Sequence, residues 1–147
     1  MKIINLKKNK NYLEEYVTLC NLEWGKSQKT DDYVQEKIEK ILKDDKVISV
    51  LGLVDKNTLI GFISLFKYDG EERKNLTPWY ATMYVKENYR KKGYSVLLNN
   101  AIIDEARKLG FKKVYLKTDL NNYYEQFGAI YMEKLKSGEK LYYIDCD

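Results

Sequence analysis

"VKENYRKKGYSVLLNNAI", Val85 to Ile102, is the stretch whose reading decides the fold. It starts at the end of a β-rich run, "WYATMYV" from Trp79 to Val85, and finishes inside a helical one. Between the two stand Arg90, Lys91, Lys92, Gly93, Tyr94 and Ser95. A helix begins with unpaired N–H groups and the positive end of its dipole, so three cations there cost stability unless something negative sits among them. Gly93 permits a tight turn and close approach of a ligand to the backbone. A strand leading through such a turn into a helix is where an open α/β sheet presents phosphate sites. Two common phosphate patterns, G-x-x-x-x-G-K-[ST] and G-x-G-x-x-G, are absent. An isolated R-x-x-G is more often a solvated basic turn, so the wider pattern has to decide.

Upstream, "KIINL" suits a first strand, and "YLEEYVTLCNLEWG" places Leu13, Tyr16, Val17, Cys20 and Trp24 on one helical face, with Gly25 as its stop. "TDDYVQEKIEKILKDD" reads as a second helix, capped by Thr30 or Asp31 and lined by Val34, Ile38, Ile41 and Leu42. The period then changes. "KVISVLGLV" and "TLIGFISLF" form a hairpin across "DKN". A polar loop, "KYDGEERKNLTP", leads into "WYATMYV", expected to be central because it is apolar on both faces. After the opening stretch, a helix over Ser95–Gly110 packs Val96, Leu97, Ala101, Ile102 and Ala106 inward. "KKVYLKT" is a buried strand, "NNYYEQFG" a short helix, and "AIYMEKL" and "LYYID" two last strands around "KSGEK". The expected fold is α/β: a mixed, twisted sheet of about seven strands flanked by four helices, in the order β-α-α-β-β-β-α-β-α-β-β, as one domain over residues 1–147.

The bulk composition narrows the function. The chain has 147 residues, with 44% hydrophobic and 33% charged, enough for one real core. Nothing resembles a signal peptide or a membrane helix of roughly 20 apolar residues, so a soluble, cytoplasmic protein with no membrane partner is expected. Two widely spaced cysteines, Cys20 and Cys146, make neither a disulfide framework nor a zinc set. There is no histidine. That removes the usual general base, the usual metal ligand and every His-activated nucleophile, and no metal is expected. A net charge of +4, spread among acids, is too diffuse for a nucleic-acid binder.

The wider pattern resembles the GNAT superfamily of N-acetyltransferases. Its acetyl-coenzyme A motif, R/Q-x-x-G-x-G/A after a strand ending in V-x-P, is matched by "YVKENYRKKGYS". Its second motif is matched by "NNYYEQFGA", where the family commonly has "FYEKFGF", and "TPWYATMYV" is similar to a bacterial subgroup with "TPWL…VYV". The resemblance spans the chain in element order and is strongest from Thr77 to Ala129. Three departures stand out: Ser95 for the second Gly/Ala, Glu87 for proline, and Ala129 for an aromatic.

The resemblance implies acetyl-coenzyme A as cosubstrate and direct attack of an acceptor amine on the thioester. It implies that the backbone of Met83, Tyr84 and Val85 binds the pantetheine arm like an added strand, at a splay beside the next strand. The N–H groups from Arg90 through Lys91, Lys92, Gly93 and Tyr94 to Ser95 would hold the pyrophosphate, with Lys91 and Lys92 screening it or reaching the ribose 3′-phosphate. Asn121 or Asn122 would touch the pantetheine or cap the short helix. Tyr124 matches the family tyrosine that protonates the departing thiolate, and a phenol of reference pKa about 10 suits an alkyl thiolate. The base is open: Glu23 is the first candidate, with Asp31, Asp32 and a water chain as alternatives. Trp24, Tyr33, Trp79 and Tyr80 are candidates to line the acceptor's mouth, where aromatics suit a cationic amine. The expected partner is a small-molecule or peptide amine, with the chain a monomer or homodimer. The competing expectation is a coenzyme A-binding module without catalysis.

Overall fold

The computed structural model describes residues 1–24 and 31–146, with the side chains of 23, 24, 31 and 32 outside that description. Seven strands form one sheet: β1 (Lys2–Asn5), β2 (Val47–Asp55), β3 (Thr58–Phe66), β4 (Trp79–Val85), β5 (Lys113–Thr118), β6 (Ile130–Lys134) and β7 (Lys140–Asp145), in spatial order β1-β2-β3-β4-β5-β7-β6. Three α-helices accompany it: α1 (Leu13–Trp24), α2 (Asp31–Lys43) and α3 (Tyr94–Lys108). The expected fourth helix is instead a single 3₁₀ turn, Tyr124–Phe127, which Gly128 stops at φ 84°. Four residues before a left-handed glycine leave no room for a second turn. The helix stop expected at Gly25 and the cap expected at Thr30 lie outside the described residues, as does the side chain of Asp31, the alternative cap.

The β2–β3 hairpin closes through Lys56 and Asn57, with φ of 49° and 63°. Two successive positive φ values match the right-handed twist of the flanking strands, which is why so short a turn suffices. Both strands are buried along nearly their whole length, between two cores. On one side α3 packs Leu98, Ile102 and Ala106 against Ile60, Ile63, Val114 and Leu116. On the other α1 and α2 place Leu13, Tyr16, Val17 and Val34 over Val50, Leu59 and Phe62.

The inward face of α3 differs from the sequence expectation. Leu98, Ile102 and Ala106 are buried, as are Asn99 and Ile103, whereas Val96 and Leu97 are 40% and 45% exposed. Three adjacent apolar residues at 96–98 fit more than one helical stripe, and period alone does not choose between them. The sheet selects the i, i+4, i+8 row that begins at Leu98.

Candidate active site

All neighbouring strands run antiparallel except β4 and β5, which run parallel and register at a single pair, Trp79 with Tyr115. One further bond, Tyr115 N–H to the Pro78 carbonyl at 2.9 Å, holds the same end. Beyond it the strands part. Among the described residues, β5 makes no further register pair with β4 beyond Trp79 and Tyr115. This explains why the middle of β4 is half-buried although the strand is central.

The parting coincides with a bulge. Pairing between β3 and β4 shifts between Phe62 and Ser64, and Thr82 stands at φ 53°. A β-branched residue in the left-handed region is strained by roughly 1–3 kcal/mol and persists only where its surroundings hold it. The hold is visible: the Thr82 hydroxyl donates to Ser64 Oγ at 2.8 Å, and Ser64 Oγ shares a 3.1 Å hydrogen bond with the Tyr16 hydroxyl. Burial pushes the Tyr16 phenol far above its ordinary range, so it stays neutral, and burial pushes the nearby Cys20 thiol up to about 11.

Three clefts meet at this bulge. The first, about 360 Å³, is lined by Met83, Tyr84, Val85, Tyr89, Arg90, Lys91, Gly93, Tyr94 and Ser95. The second, about 380 Å³, shares Met83 with the first and adds Tyr80, Thr82, Leu116, Lys117, Tyr124, Asp69 and Glu139. The third, about 410 Å³, shares Thr82 with the second and opens between α1 and α2 at Cys20, Tyr33 and Lys37.

The first cleft is where the opening stretch of sequence lands. Gly93 is the N-cap of α3 at φ 85°, with no side-chain cap and no acid in the first turn. A Cβ on Gly93 would meet nothing within 4 Å. The glycine is therefore demanded by backbone conformation, and the space above it is open. Lys91 shares the left-handed conformation at φ 64°. Arg90 folds back: its Nε donates to the Val85 carbonyl at 2.7 Å, and its guanidinium lies 5.6 Å from the centre of the Tyr84 ring. Arg90 thus locks the turn to the strand as well as supplying charge. Lys92 lies over Tyr89 at 5.9 Å and is not among the lining residues. Unpaired first-turn N–H groups, the dipole and two lining cations fit a pyrophosphate.

Tyr124 reaches the second cleft from the 3₁₀ turn, where it packs edge-on against Tyr80 with ring centres 5.9 Å apart. Burial, then Tyr123, raises its phenol above the ordinary value, so it carries its proton throughout the neutral range. Tyr80 is 4% exposed, and its hydroxyl has no hydrogen-bond partner among the described residues.

The other sequence candidates scatter. Tyr33 lines the third cleft. Trp79 lines none of the three: it is fully buried, packs with Leu135 and Leu141, and donates its indole N–H to the Leu76 carbonyl at 2.8 Å. The strand's alternation turns it into the core, away from any mouth. Asn121 is exposed, bonded to Lys140, and also lines none of the three. The side chains of Glu23, Trp24, Asp31 and Asp32 lie outside the described residues. Asp69, Lys117 and Glu139 were missed in the sequence. They sit in a polar loop, on a strand and in a turn, and no local motif links them.

The first cleft is floored by a glycine-capped helix start and lies where a strand pair parts, a shape that fits a phosphate-bearing ligand, and the half-buried Tyr124 lines the cleft beside it. The family follows from comparison: the model of the acetyltransferase (GNAT) family matches residues 11–129, and the chain belongs to that family. It is an N-acetyltransferase, with acetyl-coenzyme A as cosubstrate. The fold is similar to that of an aminoglycoside 6′-acetyltransferase type Ii (21% identity, TM-score 0.74, covering 100% of this chain and 98% of that one). It is also similar to an aminoglycoside 6′-N-acetyltransferase complexed with coenzyme A (19%, 0.72, 100% and 98%). A third similar structure is a spermidine N-acetyltransferase chimera from Vibrio cholerae and hSSAT (16%, 0.73, 99% and 97%). No curated protein matches the sequence. Among the described residues, no helix is long and apolar enough to cross a membrane.

Proposed function

We propose that the enzyme transfers the acetyl group of acetyl-coenzyme A directly to a primary amine of a small molecule or peptide. The observation that carries this reading is that two neighbouring clefts share Met83, one at the start of α3 and the other lined by Tyr124. The N–H groups of Gly93, Tyr94 and Ser95, with Arg90 and Lys91, take the pyrophosphate. The backbone of Met83, Tyr84 and Val85, along the wall of the first cleft, takes the pantetheine arm like an added strand. The neutral amine attacks the thioester carbonyl, the C–N bond forms and the C–S bond breaks. Tyr124 gives its proton to the departing sulfur and is reprotonated by the nitrogen, which sheds the hydrogen it no longer keeps. With no histidine in the chain, no acyl-enzyme route through a His-activated nucleophile is open.

A small-molecule amine and a peptide amine both belong to this proposal. So does a cytoplasmic location, which suits two cysteines, Cys20 and Cys146, that are not joined in a disulfide. The chain acts as a monomer or homodimer. The outer edge of β6, with Ile130, Tyr131 and Met132 exposed, supports pairing of two copies, which light scattering reads directly.

The test is calorimetric titration with acetyl-coenzyme A and dephospho-coenzyme A, followed by thiol release against a panel of primary amines. Micromolar binding with amine-dependent thiol release is expected. Binding without release for any amine would favour a coenzyme A-binding module, and no binding would remove the proposal.

A further inference from the structure

The second cleft is lined by residues from both faces of the sheet. Tyr80, Met83, Leu116 and Tyr124 belong to the core beneath α3. Lys117 follows Leu116 on β5 and projects from the opposite face. There it meets two carboxylates from elsewhere in the chain. Glu139 comes from the β6–β7 turn, with Oε1 3.9 Å from Lys117 Nζ. Asp69 comes from the β3–β4 loop and lines the same cleft.

Both acids are held in place from outside the cleft. Glu72 accepts the backbone N–H groups of Lys136 and Ser137 at 2.9 and 3.0 Å, and Arg73 pairs with Glu133. These contacts fasten the β3–β4 loop to the β6–β7 hairpin. Ser137 Oγ lies 3.3 Å from Glu139 Oε1. Asp69 accepts no hydrogen bond among the described residues, although it is half-buried. Burial raises its carboxyl above the ordinary range; Lys117 opposes the shift and Glu139 adds to it. Two carboxylates against one ammonium leave one negative charge uncompensated in a partly desolvated site, where an uncompensated charge is costly.

An independent feature at the other end of the cleft also calls for a ligand. The Tyr80 hydroxyl is buried without a partner, and a buried hydroxyl left unsatisfied costs about 1–3 kcal/mol. It lines the cleft beside Tyr124, where acetyl transfer takes place on the reading above.

We propose that Asp69 and Glu139 form a cation subsite for the acceptor, and that the acceptor is a di- or polyamine. The inference rests on the acetyltransferase reading of the same cleft. A carboxylate holds its bound amine in the protonated form, which cannot attack a thioester. The nitrogen drawn to Asp69 is therefore not the nucleophile. A second amine of the same molecule lies at the Tyr80 and Tyr124 end, hydrogen-bonded by the Tyr80 hydroxyl, and reacts there. Lys117 sets the charge of the subsite by cancelling one of the two acids.

The test is calorimetry with 1,5-diaminopentane on protein saturated with coenzyme A. Pentylamine is the one-cation comparison, and the variants are D69N, E139Q and K117M. The diamine binds at least about tenfold more tightly than pentylamine, and D69N removes about tenfold of that affinity, E139Q about threefold. K117M tightens diamine binding by about threefold or more, because it removes the competing cation. A purely structural role for the cluster predicts the opposite: K117M lowers melting temperature and leaves or weakens binding. Diamine affinity equal to that of pentylamine, unchanged in D69N, or unchanged or weakened in K117M overturns the subsite. Coenzyme A is titrated first in every variant. Its failure to bind the unmodified chain breaks the acetyltransferase-site reading, whereas intact coenzyme A binding without the diamine pattern breaks the subsite alone.

Discussion

The two ends of the proposed working cleft are built in opposite ways. The cofactor end, Met83 to Ser95, is one contiguous run in which each step is local: a strand, a 3₁₀ turn at Glu87–Tyr89, two left-handed residues, a helix start. The acceptor end draws Asp69, Tyr80, Lys117, Tyr124 and Glu139 from five separate segments. A contiguous site depends on backbone conformation, so a single residue can disable it. An assembled site depends on loops being fastened to each other, as Glu72 and Arg73 fasten the β3–β4 loop to the last hairpin. Its losses are graded, because each member contributes through space.

Four measurements sharpen or break that contrast. The largest effect is expected from Gly93→Asp, which forces a side chain into φ 85° and puts negative charge at the proposed phosphate site. Coenzyme A affinity should fall by at least about 100-fold, or ~2.7 kcal/mol, in a protein that still folds. Retained affinity would show that the contiguous run is not the cofactor end.

Tyr124→Phe is next. It should lower kcat by about 100-fold while coenzyme A affinity stays within about twofold, since only proton delivery is lost. The pH profile carries the sign. Burial raises the Tyr124 phenol, so the protonated, active form is present at neutral pH and is lost only above its ordinary value of about 10. Activity falling below pH 9 through this residue would contradict the assignment.

Gly61→Ala tests the frame rather than either end. A Cβ there would stand 2.8 Å from the Tyr84 carbonyl, a backbone atom that cannot step aside. A loss of about 1–3 kcal/mol in denaturant unfolding is expected, with weakened coenzyme A binding because β4 is pushed away. The smallest effect belongs to Lys92→Ala. Lys92 is exposed and rests over Tyr89, so coenzyme A affinity should change by less than about threefold, and the change should vanish in high salt.

The element order and all seven strands were legible because each rests on short-range signals. Asn57 and Lys56 turn the first hairpin, Gly93 and Gly128 take left-handed conformations, and the switch from period 2 to 3.6 marks the boundary at Val85. The stripe of α3 was misread at Val96 and Leu97, because the sheet, not the helix, chooses which apolar row is covered. The sequence pattern offers Trp79 for the acceptor's mouth, yet it is core: an aromatic in a strand that is apolar on both faces does not reveal which face opens to a cleft.

The sequence by itself determined the glycine-capped turn into α3, from Arg90 to Ser95, and the short turn stopped by Gly128, because backbone conformation is written in neighbouring residues. Only the tertiary structure decided where β4 and β5 part, that Thr82 is held at a bulge by Ser64, and that Asp69 and Glu139 face Lys117. Strand pairing and the docking of one loop on another are long-range contacts. Their partners lie about 18 to 70 positions apart in the chain, beyond the reach of any local pattern.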